Sequence, residues 1–198
     1  MSTEHSTPME YSTETNALNI IGFWVFIGAE IALFATLFAT YFIMEGRIAD
    51  GPSGGQLFVI STLMIQTFVL LTSSFTIGLG VNAMRLGRKG ATLTFLAITL
   101  VLGAGFVGVE IYEFYEYVHE GLSLQTSAFS AGLFTLLGTH GAHVSFGLFW
   151  GAGIIVQIVK HGFTPRTANK TFIFSLYWHF LDVVWIFIFS FVYLKGMM

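Results

Sequence analysis

The sequence has 198 residues, 55% of them hydrophobic and only 10% charged, with a mean hydropathy of +0.77 and a formal net charge of −3. A soluble domain carries roughly 25% charged residues, so most of this chain must face lipid or other apolar helices. Zero cysteines exclude disulfides, thiolate metal sites and covalently attached c-type haem, and the acidic balance excludes the basic face that a nucleic-acid partner needs.

The elements follow in chain order. Residues 1–17 form a polar tail with Glu4, Glu10 and Glu14 and neither Lys nor Arg. A cleaved signal peptide begins basic, so the first apolar segment is expected to stay as an anchor. A helix needs about 20 apolar residues to cross a bilayer. Five stretches meet that length, at about 18–45, 57–85, 91–118, 127–159 and 171–195. The first is broken only by Glu30 up to Met44, and the second has no formal charge from Leu57 to Met84. The third stays uncharged until Glu110 and then carries Glu113 toward Tyr117. The fourth holds His140 and His143 as its titratable groups, and the fifth holds His179 and Asp182. Membrane-spanning strands would be segments of about 10 residues with strict alternation, and these runs are longer and more uniform. The expected fold is all-α: one integral-membrane bundle of five transmembrane helices over residues 18–198, with turn-like connections.

Loop charge sets the expected orientation. Arg85, Arg88, Lys89, Lys160, Arg166 and Lys170 fall on the side of the N-terminus, against Arg47 and Lys195 on the other. The N-terminus is therefore expected in the cytoplasm and the C-terminus outside the cell.

An ionisable residue at bilayer depth is costly, so each needs a partner or a purpose. His140 and His143 share a helix face, as do His179 and Asp182, because positions i and i+3 lie on one side. From the rise per residue, His179 and Asp182 sit roughly 13 and 18 Å from Lys170, whereas His143 sits roughly 25 Å from Lys160. That mismatch disfavours one compact four-ligand metal site, and HGAH is not the HExxH of zinc hydrolases. Glu30 reads as a helix-to-helix hydrogen bond, with a titrating or headgroup-facing carboxyl as the alternative. Glu110, Glu113, Tyr117 and Glu120 read as an interfacial stripe facing a partner or water. Trp24, Trp178 and Trp185 read as packing. GAGFVG at 103–108 fits a dinucleotide fingerprint but has no preceding strand. Like Gly147 and Gly151 in GLFWG, it reads as close helix packing through small residues. No catalytic, cofactor-binding or metal-ligating residue is expected in this chain.

YWHFLDVVWIF at 177–187, GTHGAHV at 138–144 and GFWVFIGAEIALF at 22–34 resemble, over nearly the whole chain after the tail, subunit III of the haem–copper respiratory oxidases in its five-helix form. GAGFVGVEIYEF at 103–114 leans toward the bacterial quinol oxidase branch, and PMEYSTET looks most like its Gram-positive menaquinol type. The resemblance implies a bacterial plasma-membrane complex that oxidises quinol, reduces oxygen to water and pumps protons. Its haems and copper are expected in subunit I, with subunits I, II and IV and phospholipid as partners. It also implies that Glu30 matches the family's carbodiimide-reactive acid. Subunit III would stabilise subunit I, bind lipid in a cleft and support proton uptake. Longer members have two further N-terminal helices, so another subunit is expected to complete the cleft. The competing readings are a cytochrome c oxidase subunit III, an autonomous proton transporter using Glu30, His140, His143 and Asp182, and a stand-alone membrane metalloenzyme.

Overall fold

The computed structural model describes residues 8–48 and 60–197. Glu4 and the expected start of the second helix at Leu57 lie outside them. Five long helices carry the fold: α1 (Glu14–Met44), α2 (Ile60–Arg85), α3 (Lys89–His119), α4 (Ala128–His161) and α5 (Pro165–Ile188). A π-helical segment, Phe189–Leu194, prolongs α5 and runs into Lys195–Met197. All five are long and apolar enough to cross a membrane, and no strand occurs among the described residues.

Two helices begin earlier than their hydropathy suggests, and capping explains both. Thr164 and Thr167 form a capping box with Pro165 at the first helical position, where its missing N–H is not needed. The helix therefore starts at Pro165 and takes in polar residues ahead of Thr171. Thr13 accepts from the Asn16 backbone N–H at 3.1 Å, so α1 starts at Glu14. The chain then reverses sharply at Gly87 between α2 and α3 and at Gly162 after α4, both with φ near +70°, a region open chiefly to glycine.

The tail is part of the bundle from Pro8 onward. Met9–Tyr11 forms a short 3-10 turn that seats Glu10, fully buried, against Arg85 at 2.7 Å. The Arg85 guanidinium also lies over the Phe172 ring at 5.7 Å. Asn169 donates to the Glu10 and Asn16 carbonyls at 3.0 Å, and the Asn16 amide donates to the Pro165 carbonyl. The N-terminus, the α2–α3 turn and the α4–α5 turn therefore share one end. At the opposite end Lys195 pairs with Glu45 at 2.7 Å.

Helix α5 is the hub. It packs against α2, α4 and α1, while α1 leans only on α4, α5 and the tail turn among the principal contacts. Half of the α5 span is buried within the chain, against 17% for α1. Helix α1 thus presents most of its apolar side to whatever surrounds the chain. Trp24 belongs to that outward side at 57% exposed. It does not pack within the subunit as the sequence suggests.

Glycines let α5 come close. A Cβ on Gly103 would lie 2.6 Å from the Trp178 ring, one on Gly147 would lie 3.0 Å from it, and one on Gly151 would lie 2.7 Å from Leu100 and 2.8 Å from Phe174. Gly105 and Gly108 face open space, so Gly103 alone of the GAGFVG glycines serves close packing. We expect Gly151→Val to cost about 1–3 kcal/mol by overpacking and Gly105→Ala to cost nothing measurable, as read from thermal unfolding of the detergent-solubilised protein.

Candidate functional site

Helix α2 carries no formal charge before Arg85 at its end, yet it supplies the polar surface that organises α5. The Trp178 indole N–H donates to Ser73 Oγ at 2.9 Å, and the Trp185 indole donates to Thr67 Oγ1 at 3.1 Å. Each hydroxyl passes its own proton to a helix carbonyl one turn back, Ser73 to Leu70 and Thr67 to Leu63. The α5 numbers rise as the α2 numbers fall, so the two helices run antiparallel. Between these rungs Ser74 Oγ lies 2.6 Å from His179 Nδ1 and also hydrogen-bonds Asp182. An ionised carboxylate accepts only. With Asp182 as acceptor, Ser74 donates its hydroxyl proton there and accepts Nδ1–H from His179. His179 and Asp182 therefore meet on one serine of the same chain.

The fourth helix sends its two imidazoles to different surroundings. His143 Nε2 lies 3.1 Å from Glu30 Oε2, and His143 Nδ1 lies 2.7 Å from the Thr139 carbonyl. A carbonyl cannot donate, so Nδ1 carries a proton. Nε2 and Glu30 then share one more, either as carboxylic acid with neutral imidazole or as carboxylate with imidazolium. Both arrangements have no net charge, which makes the pair tolerable at depth. Tyr177 donates its hydroxyl to the His143 carbonyl at 3.0 Å and ties α5 to the same turn. His140 is fully buried and stacks on Trp185 at 5.6 Å, with Phe106 edge-on at 5.9 Å. Neither of its ring nitrogens has a hydrogen-bond partner among the described residues.

Glu110 and Glu113 do not face a partner or water. They point into the bundle with Tyr117, at 4%, 9% and 4% exposed respectively. Glu113 accepts from the Gln66 amide at 3.0 Å. The spacing marked one face of α3 correctly, but that face is the interior one.

Among the described residues, no three His, Asp or Glu side chains converge as metal ligands would. Glu30, His140, His143, His179 and Asp182 are spread over α1, α4 and α5 in separate small groups. Sequence reasoning missed Gln66, Thr67, Ser73 and Ser74. Their signal was there: two polar pairs seven residues apart in a charge-free span, matched by Trp178 and Trp185 seven apart in α5.

The Glu30–His143 pair gives a suppressor test. His143→Leu strands the carboxyl and should cost about 1–3 kcal/mol. Glu30→Gln in that background should recover part of the loss, as measured by thermal unfolding in detergent.

The comparisons with known proteins bear on the same chain. The sequence model of the family described as cytochrome c oxidase subunit III matches residues 5–197. The chain is 59% identical to quinol oxidase subunit 3 of Bacillus spizizenii and 58% identical to quinol oxidase subunit 3 of Bacillus subtilis, each alignment covering 97% of this chain and 94% of the relative. It is 45% identical to cytochrome c oxidase subunit 3 of Bacillus sp. strain PS3, over 97% of this chain and 93% of that one. With five apolar spans and bacterial relatives of this kind, it is a multi-pass bacterial membrane protein. The chain belongs to the cytochrome c oxidase subunit III family.

Proposed function

We propose that this chain is the non-redox third subunit of a terminal quinol oxidase, an oxidoreductase that couples quinol oxidation to reduction of O2 to water and to proton pumping. The observation that carries the quinol reading is the gap in identity. Two relatives named quinol oxidase subunit 3 stand at 59% and 58%, whereas two named cytochrome c oxidase subunit 3 stand at 45% and 46%. The second reading, subunit III of a cytochrome c oxidase, rests on the 45% and 46% relatives and differs in the electron donor of the complex.

The non-redox role is supported by the surroundings of the deep imidazoles. His143 is engaged by Glu30 and Thr139, His179 by Ser74, and His140 is enclosed by aromatic rings. In this reading the haems and copper reside in subunit I, and this chain packs against subunits I, II and IV. The single five-helix domain stands with its tail in the cytoplasm, where the basic turns gather. Glu30, His140, His143, His179 and Asp182 hold helices together, and the subunit supports proton uptake by stabilising subunit I.

Lipid is the other proposed partner. A groove of about 450 Å³ runs between α1 and α5, lined by Phe34, Phe38, Phe42, Phe180, Phe187 and Phe191 among other apolar side chains. Its volume and uniformly apolar lining suit an acyl chain, and it lies on the outward side of α1.

Purification of the tagged chain in mild detergent tests the reading. The expected outcome is co-purification of the other oxidase subunits, with a haem spectrum and quinol-dependent O2 uptake. A chain that purifies alone and moves protons, or a complex that oxidises only cytochrome c, contradicts it. Asp182→Asn should lower the yield of complex or its retained lipid while leaving the haem spectrum of the assembled fraction unchanged.

A further inference from the structure

Glu110 and Glu113 are the least expected groups in the bundle. Both are more than nine-tenths buried, and they lie one turn apart on the same face of α3. Among the described residues no Lys or Arg forms an ion pair with either: Arg85 is paired with Glu10, and Lys195 with Glu45. The groups that face them come from every packed neighbour. Helix α2 brings Gln66, whose Nε2 donates to Glu113 Oε2 at 3.0 Å. Helix α3 adds Tyr117, which hydrogen-bonds Tyr193 from the π-helical end of α5, and Tyr193 lies within electrostatic reach of both carboxyls. Helix α4 brings its backbone at Gly141, where a Cβ would lie 2.7 Å from Glu110 Oε2, next to His140.

Counting donors shows what the site lacks. Two carboxylates present only acceptors, and so does the Gln66 carbonyl, against the Gln66 amide and the hydroxyls of Tyr117 and Tyr193, one of which is spent between the two tyrosines. Glu110 Oε1 and Gln66 Oε1 are both buried and have no donor among the described residues. Gln66 is only 1% exposed, and its other amide atom is already bonded to Glu113, so its free oxygen sits at the cluster. Surplus buried acceptors without a cation call for a hydrogen donor, and two adjacent like charges out of water would repel one another with little screening.

We propose that Glu110 and Glu113, with Gln66, Tyr117 and Tyr193 around them, form a proton-holding site inside the bundle, the two carboxyls carrying one proton between them. The ligand is a proton. The charge on either carboxyl sets the proton affinity of the other, so the two groups titrate as one unit and not as independent acids. The π-helical segment takes part in building the site, because it turns both Val192 and Tyr193 inward at the end of α5. Single-turn π features often mark such places. The site is separate from the Glu30–His143 pair, which lies between α1 and α4.

Infrared difference spectroscopy on the purified complex in H2O and D2O at neutral pH tests this. The wild-type complex is expected to show a deuterium-sensitive C=O stretch of a protonated carboxyl that is lost in E110Q/E113Q, with the haem spectrum unchanged. In E110Q or E113Q alone the band should shift or vanish, since the remaining carboxyl has lost its partner. The singles also decide the question should the double variant fail to assemble. Protonated-carboxyl regions identical to wild type in these variants would mean that both groups are ionised, and would overturn the proposal.

Discussion

Two indole N–H groups donated from α5 to hydroxyls of α2 set the frame for this protein. In hydrocarbon there is no water to satisfy a stray donor, so Trp178 and Trp185 need Ser73 and Thr67 as much as the packing needs their rings. Apolar faces alone give little direction in a bilayer, because lipid is as apolar as leucine and helices could slide or rotate at small cost. Two bonds about two turns apart remove that freedom. They fix rotation and register at once, and they place Ser74 where His179 and Asp182 can both use it.

The rest of the bundle builds outward from that contact. With α5 fixed, glycines at 103, 147 and 151 allow α3 and α4 to close on the Trp178 and Phe174 rings. Helix α4 then presents His143 to Glu30 of α1, joining the outermost helix through one shared proton. At the end carrying the basic turns, the buried Glu10 carboxylate meets Arg85 and draws the tail across α5. The result is a chain whose polar groups are largely spent on itself, with an apolar outer surface over α1. That suits a subunit made to be surrounded by lipid and by other subunits of its family's complex.

Much of the architecture was legible from composition and run length, since five long apolar stretches leave few alternatives. The starts of α1 and α5 were not legible from hydropathy, because Thr13, Thr164 and Thr167 act through capping bonds and not through apolarity. The direction of each face was harder still. In a soluble helix a polar stripe points to water. Here Glu110 and Glu113 formed a periodic stripe that points inward, while Trp24, an apolar ring, points out. Both sides of a membrane helix are apolar, so periodicity shows which residues share a face but not what that face meets. Helix α2 was overlooked for a related reason: Gln66, Thr67, Ser73 and Ser74 carry no charge, and a search for ionisable groups passes over them.

The central claim is that the α2–α5 hydrogen bonds hold the helices in register and that this is the work of the intramembrane polar groups. A double-mutant cycle on the purified complex tests it most directly, comparing Trp178→Phe, Ser73→Ala and the two combined by thermal unfolding. The account predicts that the combined variant loses little more than Trp178→Phe alone, with a coupling of about 0.5–3 kcal/mol and an unchanged haem spectrum. Losses that simply add, or a haem signal that disappears from intact complex, would contradict it.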